Sequence, residues 1–169
     1  MFKTLPFNLN VKQVFAIAFL LLSFSKTYAQ APFCGPIYTS ACTSGDLINN
    51  FYTTGGSTNI TNNNTGCNGN ANNYIFYSTL SCSQVQGLNI TLNMQSGNLW
   101  GQGFRVWIDW NGNNSFADVG EAVYVSPNSG TGVFTSTITV PLTALPGTRR
   151  MRVQCQWATV PLATDFCAT

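Results

Sequence analysis

The chain is predicted to be an all-β protein, an antiparallel β-sandwich of the jelly-roll-like kind that is stabilised by disulfides. Residues 30–169 contain several short segments in which apolar and polar residues alternate, and loops rich in Asn, Gly, Ser and Thr separate them. A period of two with β-branched and aromatic residues favours strands over helices. No segment has a helical period, and short strands between turn signals are typical of sandwiches.

Individual strands follow from the same pattern. Residues 88–94 alternate strictly, and residues 150–157 have one apolar face formed by Met151, Val153, Cys155 and Trp157. Aromatic or apolar content predicts further strands at 74–77, 106–110, 123–125 and 134–140. Residues 55–73 are polar and rich in Asn, which predicts a long loop that Cys67 could hold in place.

The first 29 residues are predicted to be a secretory signal peptide. Lys3 and Lys12 precede an apolar run of eleven residues at 14–24, and Ala29 ends a small-residue cleavage motif. The alternative is a membrane anchor, but eleven residues at about 1.5 Å each are too short for a hydrocarbon layer of about 30 Å. Residues 30–169 would then form one domain of a secreted or cell-surface protein without a transmembrane span.

The amino-acid composition of residues 30–169 limits the catalytic mechanisms and the binding partners that are possible. The chain has no histidine, and its lysines all precede residue 30, so four arginines face five acids there. Catalysis by a histidine base or a Schiff-base lysine is therefore excluded, and a net charge of −1 gives no electrostatic basis for nucleic-acid binding. The protein is predicted not to be an enzyme, although a linked protease domain on a longer chain is compatible with this sequence.

All six cysteines lie after residue 30: Cys34, Cys42, Cys67, Cys82, Cys155 and Cys167. An even number in an exported chain predicts up to three disulfides. Pairing between sequence neighbours would give 34–42, 67–82 and 155–167, but spacing alone does not decide among fifteen possible pairings. A zinc site is disfavoured because no CxxC pair occurs.

The segment 109–121 is the strongest candidate for a metal site, because it holds three of the five acids of residues 30–169. Oxygen-bearing side chains alternate at its first, third and fifth positions, and Asn114 stands where a tight turn needs a positive φ. This arrangement suits Ca²⁺, which takes six to eight oxygen ligands. The candidate ligands are Asp109, Asn111, Asn113, Ser115, Asp118 and Glu121.

Two simpler interpretations of the segment stay open. Asn111-Gly112 is a good signal for a type I′ hairpin turn, in which case the acids are only solvated. Asp109 could also pair with Asp118 or Glu121 as the two carboxylates of a hydrolase, although no second catalytic element is visible. If Ca²⁺ does bind, the small number of carboxylates predicts an affinity on the order of 10⁻⁴–10⁻³ M.

The ordered motifs of the C-terminal half resemble the GEVED domain family. They comprise Val106–Asn111 (VWIDWN), then Phe116, Asp118 and Gly120-Glu121, then Val140-Pro141, then Gly147–Val153 (GTRRMRV). Phe33-Cys34-Gly35-Pro36 is similar to the N-terminal opening of that family. The resemblance implies an accessory β-sandwich of exported bacterial proteins, often found beside protease, adhesion-type or sorting domains, and it highlights Asp109, Asn111, Asp118 and Glu121.

The sequence departs from that family at two places. Arg149 replaces the second Thr of the G-T-T-R motif, and the acidic motif that names the family does not follow Cys167. Residues 30–169 are therefore predicted to be a GEVED-like domain that lacks its C-terminal strand. On this hypothesis Arg150 and Arg152 would pair with the missing acids, and the alternative is a solvated polar face.

Two functions are compatible with these features. The first is a non-catalytic accessory or adhesion-type module with a structural calcium ion. The second is a carbohydrate-binding module that stacks sugars on Trp100 and Trp107, because Trp110 and Trp157 lie on predicted apolar faces. The expected partners are an extracellular glycan or a cell-surface protein.

Overall fold

In the part of the chain that the structure describes, seven strands form two antiparallel sheets that face each other. A computed structural model of the chain describes residues 33–38, 42–67 and 73–167, so the predicted signal peptide lies outside the described residues. One sheet has the strand order β2-β1-β3-β6 and the other has the order β5-β4-β7. The predicted all-β class and antiparallel sandwich are confirmed.

The strands are β1 (Ile48–Thr54), β2 (Thr61–Asn63), β3 (Asn89–Ser96), β4 (Gln102–Ile108), β5 (Ala122–Val125), β6 (Phe134–Thr139) and β7 (Met151–Trp157). Short 3-10 helices span Cys42–Ser44 and Asp165–Cys167. Strands β3 to β7 match predicted segments. The prediction of a strand at 74–77 is wrong, and neither β1 nor β2 was predicted. The prediction of one long loop at 55–73 is wrong in part, because β2 lies within it.

The main core lies between the two sheets. Ile90, Leu92 and Met94 point inward from β3, and they belong to one cluster with Phe104 and Val106 of β4. Because alternate residues of a strand point to opposite faces, the other residues of β4 point away from this core. These outward residues of β4 belong to a second core on the other face of the sheet.

A second, smaller core covers the outer face of β4 and β7. Trp107 is fully buried there, and its indole N–H donates to the carbonyl of Ala163 at 3.0 Å. The Phe116 ring, also buried, packs 5.0 Å from the ring of Phe33 and 6.1 Å from that of Phe166. Chain segments near both ends of the described residues therefore close over this sheet.

The predicted disulfide pairing between sequence neighbours is wrong. The disulfides join Cys34 to Cys167, across 133 positions of sequence, and Cys42 to Cys67, across 25. Cys82 and Cys155 are free, and burial raises the pKa of the Cys155 thiol to about 12. The long disulfide joins the two segments that cover Trp107, whereas the short one links Cys67, which follows β2, to the 3-10 helix Cys42–Ser44.

Arg152 does not lie on a solvated face. It is only 3% exposed, and its guanidinium donates to the carbonyl oxygens of Cys34 and Phe166. The guanidinium also lies 5.1 Å from the Tyr74 ring centroid and 5.0 Å from that of Phe116. Carbonyl groups and aromatic rings, rather than carboxylates, thus surround this charge.

We expect Arg152→Met to lower the free energy of unfolding by roughly 2–3 kcal/mol, because two carbonyl oxygens lose a charged donor. Urea unfolding measures this change. Arg150→Met is the matched control: that guanidinium lies 3.7 Å from the centroid of the exposed Phe76 ring and 4.7 Å from that of Phe33, contacts worth about 0.5–1 kcal/mol each. Equal losses in the two variants would contradict the buried role of Arg152.

Candidate metal-binding loop

The acidic loop 109–121 connects β4 to β5, and backbone hydrogen bonds fix both of its ends. The amide of Ile108 donates to the carbonyl of Glu121 at 2.8 Å, and the amide of Asp109 donates to the carbonyl of Arg150 at 3.0 Å. The loop therefore begins and ends on the rigid three-stranded sheet. Such support is what a binding site on a loop needs.

The buried Asp109 carboxylate stabilises the turn by accepting hydrogen bonds from its backbone amides. Its side chain is 2% exposed, and one carboxylate oxygen accepts the amides of Gly112 at 2.7 Å and Asn113 at 3.2 Å. The other oxygen accepts the amide of Asn114 at 3.0 Å. Asn114 has a φ of 65°, as the sequence predicted for this position. Both carboxylate oxygens of Asp109 thus accept hydrogen bonds from backbone amides of the turn.

Asp118 lies on the exposed side of the loop. The side-chain amides of Asn111 and Asn113 donate to one of its carboxylate oxygens at 3.0 Å and 2.7 Å. These hydrogen bonds to the ionised form lower the pKa of Asp118. The amide oxygens of the two asparagines face the other way and accept the backbone amides of Asn113 and Ser115.

Glu121 is the second buried carboxylate of the loop, after Asp109. It is 2% exposed, and its Oε1 accepts the amide of Trp110 at 3.1 Å, whereas no described residue hydrogen-bonds to its Oε2. Burial, and then the charges of Asp109 and Asp118, raise its pKa. Burying a carboxylate oxygen without a donor is costly, so this atom needs a partner. The indole N–H of Trp110 is the other buried polar group of the loop that has no hydrogen-bond partner among the described residues.

A cavity of about 380 Å³ borders this side chain. Its lining residues are Trp110, Asn111, Asp118, Val119, Gly120, Glu121, Pro141 and Thr143. Three of the six predicted ligands, Asn111, Asp118 and Glu121, therefore share one cavity. Asp109, Asn113 and Ser115 do not line it, and the Ser115 hydroxyl accepts the amide of Ala117.

The described residues contain no group of three or more His, Cys, Asp or Glu placed to hold a metal ion. A cation in this cavity would therefore have to rely on two carboxylates together with neutral oxygens. Arg149, which the sequence did not single out for the loop, lies against Gly112. A side chain on Gly112 would collide with its guanidinium, which donates to the carbonyls of Leu145 and Pro146.

The prediction that Trp107 stacks sugars is wrong, because it is fully buried in the second core. Trp100 remains accessible, with 47% of its surface exposed. Trp157 was assigned to the apolar face of its strand, but it is 58% exposed because it ends β7 beyond the main core. The exposed tryptophans are thus Trp100 and Trp157.

The fold and the loop together define an antiparallel, disulfide-linked β-sandwich with an Asp- and Asn-rich loop between two strands of one sheet. Residues 103–169 match the family model of the GEVED domain, which confirms the family resemblance. The match begins within β4 and includes the acidic loop and the C-terminal one of the two segments that cover Trp107. Comparisons with curated proteins and with solved structures found no match. Within the described residues, no helix has the length and apolar character needed to cross a bilayer.

Proposed function

We propose that this chain is a non-catalytic accessory or adhesion-type module of an exported protein, and that Ca²⁺ bound at loop 109–121 stabilises it. Support for export comes from the signal-peptide pattern at 1–29 and from two disulfides, which persist in oxidising compartments. Support for a non-catalytic role comes from the absence of histidine in the sequence and of lysine after residue 29.

One observation carries the calcium proposal. Glu121 places a buried carboxylate oxygen without a donor beside a cavity that Asp118 also lines. A divalent cation would compensate both carboxylates, and it would offset the burial and the charge repulsion that together raise the pKa of Glu121. Water molecules and the oxygen of Asn111, after rotation of its amide, would complete the ligand set.

Thermal unfolding of the metal-free protein, with and without added Ca²⁺, tests this proposal. At ten times the dissociation constant, Ca²⁺ should stabilise the wild type by about 1.4 kcal/mol, which raises Tm by a few degrees. Glu121→Gln and Asp118→Asn should lose the shift. Asp165→Asn, which alters an acid outside the loop, should keep it.

Two outcomes would overturn the calcium site. The first is a wild type whose Tm does not change at 10 mM Ca²⁺, and the second is a shift of equal size in Glu121→Gln. An equal shift with Mg²⁺ would also count against a calcium site, because Mg²⁺ demands a tighter octahedral set of ligands than this open cavity provides.

Glycan binding is the second candidate function. The observation in its favour is the exposure of Trp100, a large aromatic side chain that a folded domain would otherwise bury. An extracellular glycan would then be the partner, rather than a cell-surface protein.

A further inference from the structure

We propose that Trp100 and Trp157 together form a binding site for a neutral, soluble polysaccharide chain. This inference rests on the second candidate function, glycan binding, and does not depend on the calcium site. Trp100 precedes β4 and Trp157 ends β7, and β-pairing places Gln102 opposite Trp157. Residues from two separate parts of the sequence therefore meet at one end of the three-stranded sheet.

The two indole rings touch, and both remain open to solvent. Their centroids lie 6.1 Å apart, with an angle of 70° between the ring planes. Trp100 is 47% exposed and Trp157 is 58% exposed, and the adjacent Leu99 is 74% exposed. Single exposed apolar residues are common on protein surfaces, whereas contiguous exposed apolar surface marks interaction sites.

The site is held in place before any ligand arrives. The indole N–H of Trp100 donates to the carbonyl of Ser44 at 2.8 Å, and Ser44 ends a short 3-10 helix that the Cys42–Cys67 disulfide anchors. After Trp157, the amide of Ala158 donates to the carbonyl of Gly101 at 3.0 Å. Because the Trp100 ring and the backbone beside Trp157 are both held, a ligand is spared part of the cost of ordering the site.

The surroundings of the pair favour a neutral sugar. No charged residue occurs at positions 95–104 or 153–164 of the sequence. Asn98, Gln156 and Thr159 are exposed there and offer amide and hydroxyl groups. Asp46 accepts a hydrogen bond from Gln102, which lies opposite Trp157, and this acid would repel an acidic glycan. Apolar ring faces combined with neutral hydrogen-bonding groups suit the C–H faces and hydroxyls of uncharged pyranose rings.

The angle between the two indole planes determines whether the site can bind a crystalline or a soluble glycan. Rings inclined at 70° cannot both lie flat on the surface of a crystalline polysaccharide. A single chain in solution can bend so that successive sugars meet the two faces. The expected ligand is therefore a soluble neutral polysaccharide and not crystalline cellulose or chitin.

Affinity gel electrophoresis with neutral soluble polysaccharides, such as mixed-linkage β-glucan, xyloglucan, galactomannan and glycogen, tests the site. At least one of these should retard the wild type. Trp100→Ala and Trp157→Ala should each weaken that binding about tenfold, which corresponds to about 1.4 kcal/mol of lost contact. Tyr77→Ala, which removes an exposed aromatic ring elsewhere in the sequence, is the matched control and should bind normally.

The other possible outcomes distinguish an error in the location of the site from an error in the proposed glycan binding. If a polysaccharide retards the wild type and both Trp variants equally, glycan binding stands and this site is wrong. If none retards the wild type, glycan binding and the site are both overturned. A dimer that forms at high concentration without glycan and is lost in Trp157→Ala would identify the pair as a self-association surface and overturn the site.

Discussion

Replacing both Cys34 and Cys167 by Ser is expected to lower the free energy of unfolding by about 5 kcal/mol, the cost of releasing a closed loop of this length. The disulfide spans 133 positions, so it restricts most of the unfolded chain. In the folded state it also holds the carbonyl groups of Cys34 and Phe166 around the Arg152 guanidinium. Urea unfolding under non-reducing conditions measures the change.

The second disulfide provides the matched control. Replacing Cys42 and Cys67 by Ser should cost about 3.5 kcal/mol, because the loop that they close spans only 25 positions. Cys82→Ser removes a free thiol and should have little effect on stability. If the variant with Ser at both Cys34 and Cys167 were as stable as the wild type, the two segments that cover Trp107 would not depend on the disulfide between them.

Trp107→Ala is expected to lower the free energy of unfolding by about 3–5 kcal/mol, the usual cost of emptying a large buried aromatic site. The indole is fully buried, packs at right angles to Phe166, and donates a hydrogen bond to Ala163. Its removal opens a cavity in the second core and leaves that carbonyl without its donor. Differential scanning calorimetry or urea unfolding checks the value.

Trp100→Ala tests whether burial, rather than residue type, causes this loss. Trp100 is about half exposed, so we expect its replacement to cost less than about 1 kcal/mol. If the two variants lost equal stability, the second core would contribute no more than surface contacts do. If Trp107→Ala bound glycan more weakly while remaining folded, the assignment of Trp107 to the core would be wrong.

Alternation along strands predicted the sandwich well. The inward face of β3 was predicted correctly at Ile90, Leu92 and Met94, because burial between two sheets imposes a period of two. Strand β1 was not predicted, since its sequence INNFYTT places Asn and Thr around one buried phenylalanine. The aromatic segment 74–77 looked like a strand, but two of its rings, Tyr74 and Phe76, contact arginines instead.

Trp107 and Arg152 show why alternation fails on the outer face. They lie opposite each other on β4 and β7, pointing away from the main core. The alternation of apolar and polar residues along a strand predicts that such residues point to solvent. It cannot reveal that irregular segments cover them. Those segments have no periodic pattern, and the disulfide that joins them links cysteines too distant in sequence for spacing to suggest the pair.

The candidate site was predicted in part. Asp109 at the first position and Asn114 in a positive-φ conformation follow from the demands of a tight turn. The directions of the Asn111 and Asn113 amides depend on which backbone amides they bond to, which only the folded loop determines. The burial of Glu121 likewise depends on the cavity beside it, which Pro141 and Thr143 help to line from a distant part of the sequence.

The link between Cys34 and Cys167 has a mechanical consequence. All seven strands of the described residues lie between these two cysteines in the sequence. A pulling force applied to the chain before Cys34 and after Cys167 would pass directly through the sulfur–sulfur bond, and the sheets would carry none of it. While that bond is intact, stretching from these two points would extend the molecule only slightly, and the sandwich would stay folded under tension.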